Sequence, residues 1–160
     1  MNAPAGERRI DRWFAHYSGD HRDATNQRIH VFAVPLILWS VVALLWCIPV
    51  IGTWFRQGLW AALAMFFAWS FYFRASRNLG YGMLAVFVAM AWLTRWLHLA
   101  LGTTPLLVLA VAVFALAWIA QFVGHRIEGR KPSFLTDLTY LLIGPAWVLA
   151  KLYRKLGWSW

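Results

Sequence analysis

The stretch VFAVPLILWSVVALLWCIPV, residues 31–50, contains no charged side chain and is as long as a helix that crosses a bilayer. Three further apolar stretches follow it, so the chain is predicted to be an all-α integral membrane protein with four transmembrane helices. The predicted spans are residues 29–50, 57–74, 81–101 and 104–124. The composition agrees, because 61% of the 160 residues are hydrophobic and the mean hydropathy is +0.56. We expect residues 1–160 to form a single membrane domain.

Two shorter elements are predicted outside the spans. The first, residues 7–17, is predicted to be an amphipathic helix that lies on the headgroups, because its apolar residues share one face. These apolar residues are Ile10, Trp13, Phe14 and Tyr17. The second, residues 134–153, is interrupted by Gly144-Pro145 and contains Asp137. This pattern favours two short interfacial or re-entrant helices over a fifth span.

The basic residues mark one side of the predicted bundle. Thirteen of the 15 lysines and arginines fall in the N-terminal segment, the loop after the second span and the C-terminal segment. This asymmetry predicts a multi-pass protein with both termini in the cytoplasm, and the compact loops favour a bacterial inner membrane. The net charge of +9 is then explained by contacts with membrane lipid, and nucleic acid is not expected as a partner.

The predicted topology brings three histidines to one membrane face. His21 and His30 lie at the beginning of the first span, and His125 lies at the end of the fourth. Neutral imidazoles bind iron(II), manganese and zinc, and three of them leave coordination positions open. We therefore predict a metal site held by these three residues, whereas His16 and His98 are interpreted as boundary residues.

Other polar residues accompany the histidines. Gln121, His125 and Glu128 follow one another at spacings of four and three, so they share one face of a helix. Glu128 falls in the last turn, where the helix dipole disfavours an anion, which indicates either a role in the site or an exposed helix end near basic residues. Asn26 is the predicted N-cap of the first span. Asn26, Gln121, Glu128 and Asp137 are the candidate catalytic and hydrogen-bonding residues.

Other kinds of chemistry have little support in the sequence. Cys47 is the only cysteine, which excludes an intrachain disulfide and a thiolate metal site. A nucleophile elbow, a phosphate-binding loop and a dinucleotide-binding fingerprint are all absent from the sequence.

Three motifs near the two ends of the chain keep a distinctive order. They are His21-x4-Asn26-x3-His30-x4-Pro35, Gln121-Phe122-x-Gly124-His125-x2-Glu128-Gly129-x2-Pro132 and Leu141-Leu142-x-Gly144-Pro145. Together with the predicted four-span frame, they resemble the family of small membrane 2-hydroxy-fatty-acid dioxygenases. The chain departs from the fungal motif of that family at His21-Arg22, where the fungal motif has two adjacent histidines.

The resemblance implies an iron(II)-dependent α-oxidation that does not use 2-oxoglutarate. A 2-hydroxy fatty acid and O2 would give the fatty acid one carbon shorter and CO2, with Fe(2+) held by His21, His30 and His125. A 2-hydroxy acid can chelate iron through its carboxylate and hydroxyl groups. Its carboxylate could also pair with a basic side chain, for which the candidates are Arg22, Arg28, Arg126 and Lys131. On the sequence alone, the alternatives are a haem-binding electron-transfer bundle and a non-catalytic membrane scaffold.

Overall fold

The computed structural model describes residues 8–52, 54–129 and 140–160, which fold into α-helices without any strand. The helices are α1 (Arg9–Gly19), α2 (Ala24–Cys47), α3 (Leu59–Ala75), α4 (Arg77–Leu101), α5 (Thr103–Glu128) and α6 (Tyr140–Lys155). Helix α2 begins earlier than the predicted span because the Asp23 carboxylate accepts hydrogen bonds from the first-turn amides of Thr25 and Asn26. The prediction that Asn26 caps this helix is therefore wrong.

Helices α2 and α5 run antiparallel and share the most extensive packing interface of the described chain. At one end of the pair, His30 of α2 meets His125 of α5. At the other end, the Cys47 thiol lies 3.8 Å from the main-chain oxygen of Thr103. The start of α2 and the end of α5 therefore lie together, as the alternation of predicted spans requires.

Three described helices, α2, α4 and α5, are long and apolar enough to cross a membrane, rather than the four that the sequence predicts. These three fit a membrane protein. Helix α3 has 17 residues, which at 1.5 Å per residue gives about 25 Å, less than the roughly 30 Å of a hydrocarbon core. It begins only after Gly58, whose φ of 93° is left-handed. A side chain at this position would collide with the ring of Trp46.

Helix α1 confirms the predicted amphipathic element, but its apolar face is covered by protein and does not lie free on the headgroups. Ile10 and Phe14 are buried in a cluster shared with α6. Trp13 stacks on Phe71 of α3 with ring centroids 5.5 Å apart. The apolar stripe of α1 therefore serves as a packing surface that brings α1 close to the bundle.

Helix α6 runs unbroken through Gly144-Pro145, so the prediction of two short helices separated at this point is wrong for the described residues. Pro145 lies inside the helix. Because proline has no N–H, the carbonyl of Leu141 lacks its helical partner, and this missing hydrogen bond does not interrupt α6. Residues 134–139, including Asp137, lie outside the described part of the chain.

Candidate metal centre

The three histidines predicted from the two ends of the sequence lie in one buried cluster. The Nε2 atoms of His30 and His125 are 3.2 Å apart. The ring centroid of His21 lies 4.4 Å from that of His30 and 5.0 Å from that of His125. One nitrogen from each ring lies within 4.8 Å of the other two. Their predicted proximity is confirmed, and these three residues could together hold a metal ion.

Two main-chain carbonyls fix which ring nitrogens carry a proton. Nδ1 of His21 lies 2.7 Å from the carbonyl oxygen of Tyr17, and Nδ1 of His30 lies 2.9 Å from that of Asn26. Because a carbonyl oxygen can only accept, each Nδ1 donates its hydrogen, and each Nε2 keeps a free lone pair. This is the tautomer in which histidine binds a metal through Nε2, with its other nitrogen fixed by a hydrogen bond.

Buried ring nitrogens that lack a hydrogen-bond partner indicate whether a metal ion fits the cluster. Among the described residues, His21 Nε2 and His125 Nδ1 are buried without a hydrogen-bond partner, which costs about 1–3 kcal/mol for each group. Ligands bound at about 2.1 Å lie about 3–4 Å apart around one ion, so a small contraction of this cluster would satisfy His21 Nε2 by coordination. Burial lowers the pKa of His21, which favours the neutral, metal-binding form.

The Glu128 carboxylate ties the end of α5 to the loop that carries His21. Its Oε1 accepts a hydrogen bond from the Arg22 amide at 2.9 Å, and its Oε2 accepts from the Asp23 amide at 2.8 Å and from Asn26 Nδ2 at 3.1 Å. Although the carboxylate lies at the C-terminus of α5, it also faces the N-terminus of α2, whose dipole favours an anion. This arrangement positions His21 beside His125.

A close helix contact sets the distance between the two halves of the cluster. Gly124 of α5 packs directly on the buried side chain of Asn26, and a Cβ atom at Gly124 would collide with Asn26 Oδ1. Asn26 in turn provides the carbonyl that orients His30 and an amide hydrogen for Glu128. The predicted candidate Asn26 therefore touches both halves of the site. Gly129 ends α5 with a left-handed φ of 72°.

A cavity of about 350 Å³ opens beside the histidines. His21, His125 and the predicted candidate Gln121 form its polar end. Its walls are apolar and include Val34, Ile37 and Val41 of α2, Phe114 and Trp118 of α5, and Leu142 of α6. The sequence analysis missed this cavity because α2 and α5 are apolar on all sides, so periodicity does not distinguish an inner from an outer face.

The other two histidines of the chain lie apart from the cluster. His16 bonds to the Tyr140 hydroxyl through Nδ1 at 2.6 Å. His98 lies near the start of α5 and contacts the Thr103 hydroxyl at 3.0 Å. Arg22, Arg28 and Arg126 are exposed, whereas Asp137 and Lys131 lie outside the described residues.

Lys151 of α6 is a neighbour of the site that sequence reasoning missed. Its Nζ donates to Gln27 Oε1 at 2.7 Å, and Gln27 Nε2 donates to the main-chain oxygen of His21 at 2.7 Å. Nζ also lies 3.9 Å from the ring centroid of Trp147, a cation–π contact. A signal existed in the spacing of Trp147 and Lys151 on one helix face, but nothing in the sequence indicated that this face would meet His21.

Comparison with known proteins gives one match over almost the whole chain. Residues 8–156 match the model of the family described as 2-hydroxy-palmitic acid dioxygenase Mpo1-like. Among curated proteins and solved structures, no match was found.

The ligand assignment predicts that the purified protein binds one divalent transition-metal ion per chain. Replacing His30 or His125 by Gln should lower the affinity for iron(II) or cobalt(II) at least about tenfold, because an amide is a weaker donor than imidazole. His98→Gln is the matched control and should bind as wild type does. Anaerobic titration with metal analysis measures this. Wild-type affinity in His125→Gln would contradict the assignment.

The contacts of Glu128 predict that this residue positions His21 and does not itself bind the metal ion. Glu128→Gln should weaken metal binding about tenfold, because the amide cannot accept all three hydrogen bonds and the loop that carries His21 loosens. The stoichiometry should stay at one ion per chain. Lys155→Gln, which removes an exposed charge from α6, is the control. Cobalt(II) titration and its absorption spectrum provide the measurement, and unchanged affinity in Glu128→Gln would rule out the positioning role.

Proposed function

Because the chain belongs to the Mpo1-like family, described as 2-hydroxy-palmitic acid dioxygenases, we propose that it is an iron(II)-dependent dioxygenase of 2-hydroxy fatty acids. In the proposed α-oxidation, a 2-hydroxy fatty acid and O2 give the fatty acid one carbon shorter, CO2 and water, without 2-oxoglutarate. The observation that carries this proposal is the buried three-histidine cluster at the polar end of an apolar cavity. That combination suits a substrate with a chelating head and a long alkyl tail.

The proposed role of the histidines is to hold the metal through their Nε2 atoms. Iron(II) bound there would supply coordination positions for the substrate carboxylate and hydroxyl groups and electrons for the reduction of O2. The carbonyls of Tyr17 and Asn26 keep the rings of His21 and His30 in the required tautomer. Burial of all three rings restricts water at the reacting end of the substrate.

The polar residues around the cluster have different proposed roles. Gln121 lines the cavity beside His125 and is buried, so we assign its amide to a hydrogen bond with the substrate hydroxyl or carboxylate group. Glu128 and Asn26 act as positioning residues through the contacts that join α5 to the start of α2. Asp137 stays a candidate for hydrogen bonding in the site.

The cavity supports a long-chain substrate. Along α5, the cavity lining extends from His125 to Phe114, a distance of about 16 Å at 1.5 Å per residue. An extended alkyl chain advances about 1.3 Å per carbon at a bond length of about 1.5 Å. About a dozen carbons therefore fit between the cluster and the far end, which accommodates most of the tail of a 2-hydroxy acid of palmitic length.

The membrane arrangement belongs to the same proposal. Helix α3 begins beside Trp46 at the far end of α2 and ends where Phe73 packs on Gly80 of α4. We propose that α3, although its 17 residues are fewer than the roughly 20 of a typical span, returns the chain to the side of the bundle where α2 begins. Both termini then lie on the cytoplasmic side, in keeping with the distribution of arginine and lysine. A bacterial inner membrane remains the proposed location.

The geometry favours this proposal over a haem-binding bundle. Two axial histidines of a haem lie on opposite faces of the porphyrin, whereas His30 and His125 touch edge to face with their Nε2 atoms 3.2 Å apart. A non-catalytic scaffold would have no need of three buried imidazoles that each bring one ring nitrogen within 4.8 Å of the other two.

The proposed reaction predicts a defined product. Protein purified without O2, loaded with iron(II) and given O2 and 2-hydroxypalmitate should release pentadecanoic acid and CO2, with one O2 consumed per substrate. Mass spectrometry of the fatty acid and an oxygen electrode measure this. Palmitate and the His125→Gln variant should give no product. Unchanged 2-hydroxypalmitate despite stoichiometric iron would contradict the proposed reaction.

The position of Val41 predicts an effect on chain length. Val41→Phe adds bulk at the end of the cavity far from the histidines. It should therefore lower kcat/KM for 2-hydroxypalmitate about tenfold and leave 2-hydroxydecanoate nearly unchanged, because only the longer tail reaches this residue. Val108→Phe is the matched control, since Val108 is 64% exposed on α5 and lies outside the cavity lining. An equal loss for both substrates would contradict this placement of the tail.

A further inference from the structure

A cationic pocket lies between the end of α3 and the start of α4, away from the histidine cluster. It has a volume of about 580 Å³, and its lining includes Arg8, Arg74, Arg77 and Trp160. Asp11 neutralises Arg8 through two contacts of 2.9 and 3.0 Å. Arg74 and Arg77 are exposed, and no described carboxylate lies within 4.0 Å of either. The pocket therefore holds two uncompensated guanidinium groups, which favour an anion with several oxygen acceptors.

An aromatic groove adjoins this pocket. It has a volume of about 770 Å³ and is lined by Trp13 of α1 and, on α3, by Phe66, Phe67, Ser70, Phe71 and Arg74. The α3 residues follow one another at spacings that keep them on one helical face. Phe67 is 68% exposed, while Trp13 and Phe71 stack to form a wall. The groove runs about 12 Å along α3 from Phe66 to Arg74, at 1.5 Å per residue.

Arg74 and Ala75 line both the pocket and the groove, so a charged compartment and an apolar compartment join at these two neighbouring residues. The apolar compartment lies on a helix of the bundle, and the charged one lies where that helix ends. We propose that the two form a binding site for one anionic glycerophospholipid. Its phosphate lies between Arg74 and Arg77, and one acyl chain lies in the groove against Phe66 and Phe67. A free phosphate would use the pocket alone, so the continuous groove favours the lipid.

The start of α4 strengthens the charged compartment. Ser76 caps this helix by accepting a hydrogen bond from the Leu79 amide. The earlier first-turn amides, including those of Arg77 and Asn78, remain available as donors for an anion. Asn78 also donates to the main-chain oxygen of Ser159. A lipid in this pocket would therefore lie beside the C-terminal segment, whose Trp160 ring packs on Phe14 of α1 with ring centroids 6.2 Å apart.

Native mass spectrometry of the full chain in mild detergent tests the proposal. Phosphatidylglycerol and phosphatidylcholine with the same acyl chains are the probes. Wild-type protein should retain one phosphatidylglycerol at least about tenfold more tightly than phosphatidylcholine. The double variant Arg74→Gln/Arg77→Gln should lose this preference, since each cation near a lipid headgroup contributes a several-fold effect. Arg56→Gln/Arg95→Gln, which removes two exposed charges elsewhere, is the matched control and should keep it.

Two further measurements distinguish a bound lipid from a bound free anion. Phe67→Ser should reduce retention of phosphatidylglycerol several-fold while the headgroup preference persists. Millimolar inorganic phosphate should not displace the bound lipid. Equal retention of the two lipids by wild-type protein, unchanged preference in the arginine double variant, or displacement by phosphate would each overturn the proposal. Thermal unfolding of every variant verifies that these exposed substitutions leave the fold intact.

Discussion

The close antiparallel packing of α2 against α5 determines where two of the three histidines of the candidate metal centre lie. Gly124 lets α5 approach until Asn26 is buried against it, and this approach brings His30 and His125 into contact. The same two helices form the long walls of the cavity. A larger residue at Gly124 would separate the helices, so the site depends on the absence of one side chain.

Hydrogen bonds at the end of this helix pair place the third histidine beside the other two. His21 precedes α2, in the loop after α1, and its position is not fixed by helix packing. Glu128 holds the amides of this loop, while the Tyr17 carbonyl fixes the ring, which also stacks on Tyr17 with centroids 4.1 Å apart. Burying three neutral imidazoles costs less than burying charges, and the unsatisfied Nε2 of His21 leaves the cluster suited to a cation.

The sequence could predict which histidines meet, because their proximity depends on the order of the spans and on the distribution of charge. Neither changes when a predicted helix boundary is wrong by a few residues.

The sequence could not predict how α1 and α6 pack. Pro145 resembles a helix break, yet α6 continues through it and loses only the hydrogen bond to the Leu141 carbonyl. The role of Glu128 was ambiguous because its partners are backbone amides about a hundred residues away. The cavity left no periodic signal, because an apolar helix in a membrane can be apolar on every face.

The ribosome synthesises the two parts of the cluster, at α2 and at the end of α5, at different times. His30 and His125 are 95 residues apart, and a ribosome adds roughly 5–20 residues per second. The growing chain therefore carries two histidines for several seconds before the third has been translated. The last turn of α5, which carries His125, is the last part of the three-histidine cluster to be synthesised, so the cluster is complete only after α5 has been translated. In the enzyme proposed above, binding of the metal would therefore follow translation of α5.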